Sequence, residues 1–555
     1  MNRKFWRKNY KRLDPDEVFM DSRNLPSFND QQFEGQIEKP ISKKSAYILA
    51  GCIVISALIL GGRVGFLQVL AGQDLAHRSE QNKLRHSVIF ADRGIVYDRH
   101  NQELAWNNPD RVYIDRPGFA HILGYVGYPN AEDIARESFH PKSLIGKSGV
   151  ERTYHQLLAG QAGLRIEEVN SLGEVSSNHV LRYPESGDSL VLAIDAEVQA
   201  AFHRIIAEVA DSAGYRGGAA VLMEAETGEI VSLVSYPEFD PTVMSKASDR
   251  QQIASYILDE DNPFLNRPVA GLYSPGSIIK PFIALAALAE NIISPEKQIE
   301  STGRLIVPNP YNPDRPTIFR DWRAHGYTDM RRALAVSSDV YFYQIGGGFE
   351  SQPGLGIARI EDYVRKFGFG RPTGIDLSGE ATGTIPNPEW KEANFDGDPW
   401  RLGNTYHTAI GQYGFLVSPI QAARATAALA TAGRLPTPTL IKRDKQLSPV
   451  VLDFASTDWQ VVQEGMRQAV TAGTAASLNV PYVQVAAKTG TAEVGSQNQF
   501  INAWIIGYFP YENPKYVFAV VLEQGRSGTL IGGGMVMRRL LDWLKQNAPE
   551  YFTVD

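Results

Sequence analysis

Residues Ser45 to Gly62 (SAYILAGCIVISALILGG) are 18 consecutive uncharged, mostly apolar positions, and Val64–Ala71 carries the apolar character on past Arg63. At 1.5 Å per residue the uninterrupted run covers about 27 Å, close to the roughly 30 Å of a bilayer's hydrocarbon core. A chain with such a segment must place it in lipid or bury it. The competing readings are a buried core helix and a cleaved signal peptide. Against the latter, no clean small-x-small cleavage site is present, and the run starts 45 residues in. The chain's single cysteine, Cys52, lies inside the run. Intramolecular disulfides, cysteine-based zinc sites and iron–sulfur clusters are thereby excluded.

Ten basic residues precede the run (Arg3, Lys4, Arg7, Lys8, Lys11, Arg12, Arg23, Lys39, Lys43, Lys44), against seven acidic ones. The positive-inside rule keeps that end in the cytoplasm and exports the rest. The expectation is a single-pass protein of the cytoplasmic (inner) membrane with an extracytoplasmic, periplasmic body. The first twelve residues interleave basic groups with Phe5, Trp6 and Tyr10; they read as a solvated tail, with contact to anionic lipid as the other reading. A net charge of −7 argues against a nucleic-acid partner. The 555 residues, 43% hydrophobic, imply a folded chain of about two to four domains.

Beyond the span, residues 68 to about 185 read as short strands, such as Val88–Phe90, Gly94–Tyr97 and Val112–Ile114, followed by a helix at Gly149–Leu158. From Gly187 a new region starts with a short strand and a helix at Ala196–Ala210. Two strands then follow, Gly218–Met223 and Glu229–Tyr236, joined as a hairpin through Glu226-Thr227-Gly228. Three more strands stand near the C-terminus (Tyr482–Lys488, Ala503–Phe509, Tyr516–Leu522), ahead of a helix at Val536–Leu544. Mostly helical sequence lies between, including Gln421–Ala432. Strands at both ends with helices between predict an α+β domain whose antiparallel five-stranded sheet is assembled from distant segments.

The usual catalytic signatures are missing. Gly146-Lys147-Ser148 lacks the glycine a P-loop needs, which is Pro141, and no H-E-x-x-H or G-x-S-x-G occurs. The histidines of the catalytic stretch, His325 and His407, sit in neither a Gly-rich nor a capping context and read as structural or surface residues. Ser277-Ile278-Ile279-Lys280 stands out instead, behind the turn Ser274-Pro275-Gly276 and ahead of an apolar run. A helix starting near Ser277, fixed there by Pro281, puts the hydroxyl and the amine on one face and the hydroxyl in the positive field of the helix N-terminus. Burial against the apolar run would depress the lysine pKa and let it act as a base. The plain alternative is a capping serine beside a solvated lysine. Two further segments shift that balance: Ser337-Ser338-Asp339, and Lys488-Thr489-Gly490-Thr491 at the end of an expected strand. A Lys-Thr-Gly strand presents an ammonium and hydroxyls on one face, suited to a substrate carboxylate, and its glycine would let a ligand backbone approach.

S-x-x-K, S-x-D and K-T-G in this order resemble the penicillin-recognising serine transferases and hydrolases. Within that group the chain resembles class B penicillin-binding proteins of the elongation type, the penicillin-binding protein 2 group, which are peptidoglycan D,D-transpeptidases. The supporting segments are LYSPGSIIKP (272–281), FRDWRAHG (319–326), AVSSDVYFYQ (335–344), TIPNPEWK (384–391), AIGQ (409–412), VSPIQAA (417–423) and AAKTGTAEV (486–494). ADRGIVYDR (91–99) and GKSGVERTYHQLLAGQAG (146–163) resemble the family's pedestal, or dimerisation, domain.

The resemblance implies a cytoplasmic tail (1–44), a transmembrane helix (45–67), a β-rich pedestal (68–186), a transpeptidase domain (187–548) and a C-terminal tail (549–555). It implies Ser277 as nucleophile, Lys280 as general base, Ser337 as proton relay and Asp339 as the residue orienting the donor amide and Lys280. Lys488, Thr489 and Thr491 would hold the terminal carboxylate on the Gly490 strand, with the amides of Ser277 and Thr491 as oxyanion hole. Implied partners are peptidoglycan stem peptides, β-lactams, a RodA-type SEDS glycosyltransferase, an MreC-like scaffold and the membrane. The chain departs from the family pattern between Ile114 and His121, where relatives usually insert a longer head, and at Tyr413, where glycine is common. Some relatives hold a metal near this site through a cysteine; with Cys52 in the span, no metal or cofactor is expected. The rivals are a septal class B enzyme, usually Ser-x-Asn in its middle motif, a carboxypeptidase or β-lactamase-like hydrolase, and a non-catalytic sensor.

Overall fold

A computed structural model describes residues 42–75, 84–137, 139–169, 175–309, 312, 314–443 and 447–553. The basic, aromatic start of the chain lies outside them. The chain forms two compact units, one containing residues up to Arg85 with Glu167–Asn178, the other His86–Ile166 and His179 onward.

In the first unit, helix α1 (Lys43–Gly65) is capped by Ser42, whose Oγ accepts from the Ser45 amide at 3.1 Å, and it runs on into a wider turn at Phe66–Leu70. Its 23 residues span about 34 Å. None of its side chains is buried, with Ile48, Leu58 and Leu60 all about two-thirds exposed. A helix apolar all round and covered by nothing does not fit a core helix; its length and composition suit a membrane span.

The second unit begins with a β-rich lobe. Its four-stranded sheet runs in the order Asp110–Tyr113, Glu103–Asn108, Val96–Tyr97, Leu190–Val191. The expected helix at Gly149–Leu158 is broken at Tyr154 into two short pieces. The Tyr154 hydroxyl donates to Asp376 at 2.8 Å, which ties the break to the catalytic lobe. Beneath it Glu151, fully buried, takes Arg93 Nη2 at 2.5 Å and Arg111 Nε at 2.6 Å. A carboxylate so placed needs both cations, since desolvating it alone would cost several kcal/mol.

The rest is the α+β domain expected from the strand pattern. Its strands are β1 (Gly217–Glu224), β2 (Ile230–Tyr236), β3 (Ala486–Val494), β4 (Phe500–Phe509) and β5 (Tyr516–Arg526), paired antiparallel in the order β2-β1-β5-β4-β3. The flanking helices used below are α2 (Ala196–Ala213), α3 (Lys280–Ala289), α4 (Met330–Val336), α5 (Asp339–Gly347), α6 (Pro419–Ala430) and α7 (Gly533–Asn547). Successive β1 residues enter different cores: Ala219, Val221 and Met223 pack on the α6 side, Ala220 and Leu222 on the side of Phe202 of α2 and Val536 of α7. That period of two, with both faces covered, explains why the strands read as continuous apolar runs.

One strand boundary needs correction. Strand β3 starts at Ala486 and not at Tyr482, because Pro481 and Tyr482 form a bend, so Lys488-Thr489-Gly490 lies within the strand and not at its end. In the C-terminal tail Pro549–Phe552 form a turn that buries Tyr551, whose hydroxyl donates to Asp195 at 2.8 Å. Asp195 is the N-cap of α2, accepting from the amides of Glu197 and Val198.

Candidate active site

Ser277 lies in a 3₁₀ turn, Gly276–Ile279, and the α-helix proper begins at Lys280 with Pro281 in its first turn. Ser277 is therefore one turn ahead of the α-helix start and makes no capping bond. In a 3₁₀ turn residues i and i+3 eclipse, so Ser277 and Lys280 share a face as the spacing predicts. Glycines set this turn against its neighbours. Gly276 has φ +53°, and a Cβ there would lie 2.8 Å from the Thr491 carbonyl oxygen. Gly411 has φ +77°, and its carbonyl accepts from the Gly276 amide at 2.9 Å. A Cβ on Gly490 would lie 2.9 Å from the Pro275 carbonyl oxygen. The glycine of Lys-Thr-Gly thus admits the protein's own Ser277 turn, where the sequence suggested a ligand backbone. Trp504 of β4 also holds the turn, its Nε1 donating to the Ser274 carbonyl at 3.0 Å.

Ser337 is the residue on which the other groups converge. Lys280 Nζ donates to the Ser337 carbonyl at 2.8 Å, to Ser337 Oγ at 3.3 Å and to Asp339 Oδ1 at 2.6 Å. Lys488 Nζ donates to Ser337 Oγ at 2.8 Å and to the Thr489 carbonyl at 2.8 Å. Both lysines are fully buried. Burial holds the Lys488 pKa well below that of an ordinary lysine, and the neighbouring Lys280 lowers it further, against a smaller opposing effect of Asp339. Among the described residues no hydrogen bond joins Ser277 Oγ to Lys280.

The groups open onto a cleft of about 700 Å³ lined by Ser277, Ser337, Asp339, Thr489, Gly490 and Thr491. Neither lysine lines it. Thr489 and Thr491 face it while Lys488 points below, so the ammonium and the hydroxyls lie on opposite sides of β3 and not on one. The sequence reading gave no role to three residues: Trp322 and Gly411, which lie in segments quoted for the resemblance, and Thr474; Trp322 and Thr474 line the cleft. Thr474 shares a 2.7 Å hydrogen bond with Thr489 Oγ1, and nothing in its local sequence marks it. The two histidines are structural: His325 packs against Asp321 at 3.4 Å, and His407 against the rings of Phe319 and Tyr343. Tyr413 adopts φ +64°, the conformation that favours glycine, and stacks on Phe395 with the edges of Trp390 and Trp400 around it.

Comparison with known proteins agrees with this geometry. Residues 218–541 match the penicillin binding protein transpeptidase domain and residues 106–192 the penicillin-binding protein dimerisation domain. The chain is 33% identical over 477 residues to the peptidoglycan D,D-transpeptidase MrdA of Haemophilus influenzae, covering 79% of this chain and 70% of that one. It is similar to penicillin-binding protein PBP2 of Helicobacter pylori, solved in complex with MreC (26% identity, 84% of this chain and 99% of that one, TM-score 0.71). A chain of a solved peptidoglycan synthase complex is also similar (26% identity, 89% and 97% covered, TM-score 0.71). Catalytic-domain match, dimerisation-domain match and near full-length relatives together establish that the chain belongs to the penicillin-binding protein transpeptidases, in their elongation-type, penicillin-binding protein 2 branch.

Proposed function

We propose that this chain cross-links peptidoglycan during cell elongation as a serine D,D-transpeptidase. The observation that carries this reading is the convergence of two buried lysines on Ser337 beside an open cleft that also presents Ser277 and the two threonines of β3. Ser277 Oγ attacks the carbonyl of the penultimate D-alanine of a stem peptide, and its proton passes to Lys280. Three acceptors surround Lys280 Nζ, Asp339 and the two Ser337 oxygens; it takes the Ser277 proton only as the free amine, with one of these contacts given up so that its lone pair faces Ser277 Oγ. Asp339 lines the cleft and is the partner able to turn toward the donor amide.

The amides of Ser277 and Thr491 receive the oxyanion, a donor pair of which each member is worth roughly 2.7–4 kcal/mol. The C–N bond to the terminal D-alanine then breaks: Ser337 gives its proton to the departing amine and takes the one held by Lys280, which returns to the free amine. Thr489 and Thr491 hold the terminal carboxylate, with Lys488 supplying field from below. An amine of a second stem peptide attacks the ester, loses its proton through the same lysine–serine pair, and regenerates Ser277. β-Lactams acylate the same oxygen. No bound cofactor takes part in this route.

The chain is anchored by α1, with its basic end in the cytoplasm and the catalytic unit outside the membrane. Its partners in this reading are an MreC-like scaffold and a RodA-type SEDS glycosyltransferase. The septal and hydrolytic alternatives are not favoured. The test is to label the full-length chain in detergent with a fluorescent penicillin and weigh it intact, beside Ser277→Ala. A stable one-to-one adduct on Ser277, absent from the variant, is expected. Fast turnover of the drug without an adduct would support a hydrolase, and no acylation of folded protein would end the catalytic reading.

A further inference from the structure

The segment FRDWRAHG (319–326) entered above only through its resemblance, and the mechanism assigns it nothing. In the structure it grips the Ser337 turn. Asp321 is buried, and its Oδ2 accepts from Ser338 Oγ at 2.9 Å, from the Val340 amide at 3.1 Å and from Ser301 Oγ at 3.1 Å. Its Oδ1 accepts from the Trp322 amide at 2.9 Å. Trp322 reaches the other side of the turn, where its Nε1 donates to the Val336 carbonyl at 3.2 Å. Positions 336, 338 and 340 are therefore held by two adjacent residues. The two between them, Ser337 and Asp339, are those that meet the lysines and line the cleft.

The grip matters because Ser337 is not in a relaxed conformation. Its φ is +60°, a left-handed conformation that a non-glycine residue keeps only where its surroundings enforce it. In this conformation the Ser337 carbonyl and hydroxyl both reach Lys280, and the hydroxyl also reaches Lys488. A turn relaxed to negative φ would swing these two oxygens apart.

We propose that Asp321 and Trp322 are positioning residues of the transpeptidation, a clamp that holds Ser337 in the left-handed conformation at which both lysines meet its oxygens. This rests on the catalytic reading given above. Neither residue takes or gives a proton. They fix the lysine–serine geometry through which the proton travels, and proton transfer falls off steeply once hydrogen-bond distances lengthen.

The experiment measures acylation of the full-length chain in detergent by a fluorescent penicillin, separating the noncovalent dissociation constant, the acylation rate constant and the final labelling amplitude across pH. Trp322→Phe keeps the ring and removes one donor, and Ser338→Ala removes one hydroxyl. Tyr482→Phe, which loses a remote 2.6 Å bond to Asp542, reports ordinary destabilisation. Both clamp variants are expected to reach full amplitude with a rate constant at least tenfold lower, a dissociation constant within twofold of the parent and a shifted pH profile. Tyr482→Phe is expected to change none of the three. Clamp variants that acylate within twofold of the parent rate on an unchanged pH profile, or lose amplitude only, would overturn the proposal. A parent chain that forms no adduct would overturn the catalytic reading and the clamp with it.

Discussion

Replacing Gly411 by alanine tests whether the Ser277 turn is held by direct backbone contact. At φ +77° a Cβ on residue 411 would stand 2.2 Å from the Gly276 carbonyl oxygen, about 1.2 Å short of ordinary contact at 3.4 Å. Its other neighbours are also backbone atoms of Gly276, so no flexible side chain can yield. The turn must move by about 1 Å and take Ser277 with it, and the 2.9 Å bond from the Gly276 amide weakens as it does. Positive φ costs about 1–2 kcal/mol for alanine, and overpacking adds about 1–3 kcal/mol. Misplacing a reacting group by about 1 Å costs on the order of 10²-fold in rate, equivalent to about 2.7 kcal/mol of barrier.

Gly214→Ala supplies the control. Gly214 has φ +72° at the end of α2 and nothing within 4 Å of the added carbon, so it carries the dihedral penalty without the clash. The assay is the rate of fluorescent-penicillin acylation per folded molecule, beside thermal unfolding. Both variants should lose stability, and only Gly411→Ala should lose acylation, by about 100-fold. Equal acylation rates in the two variants would refute the argument that Gly411 places Ser277.

Asp339→Asn leaves Lys280 buried without its ionic partner, so the acylation rate constant should fall by at least tenfold while the adduct, once formed, still maps to Ser277 by mass. Glu151→Gln breaks the pairing with Arg93 and Arg111 and should cost about 3–5 kcal/mol in urea unfolding, with acylation per folded molecule unchanged. Glu238 accepts from the amides of Gly118 and Ala120, and burial raises its pKa to about 7 from 4.5. A raised acid holds its proton longer folded than unfolded, so its contribution to stability is full below about 4.5 and lost as pH rises through about 7. The Tm of Glu238→Gln minus that of the parent should therefore increase from pH 5 to pH 8; a flat difference would contradict this.

Much of the architecture was legible because it is local. The continuous apolar runs of the sheet, the helix at Gln421 and the i, i+3 relation of Ser277 and Lys280 depend on neighbours in sequence. What the sequence hid depends on residues far away. Lys488 looked like a cleft residue, since its neighbours are strand-forming and polar, yet the pleat sends it beneath the floor to Ser337. Gly490 looked like a ligand glycine and Gly411 carried no role, but each is small to admit a backbone distant in sequence. Tyr154 breaks an otherwise well-patterned helix for a partner at Asp376. Tyr551 lies in a stretch too short to show periodicity and is buried by a contact with Asp195.

The order of strands in the central sheet has a consequence for how the chain acquires its structure. Hairpin β1–β2 is made early, but β1's other neighbour is β5, and Gly218 pairs with Leu522, roughly 300 residues later. Until that strand arrives, β1 presents an open row of amides and carbonyls on an apolar ribbon, the kind of edge that invites pairing with the wrong chain. Sheets closed by such distant partners form slowly. Nearly the whole polypeptide must therefore be available before the sheet can close. Closure of the sheet thus waits on the last strand: a chain stalled short of Tyr516 would hold a complete Ser277 turn and no closed sheet to place it.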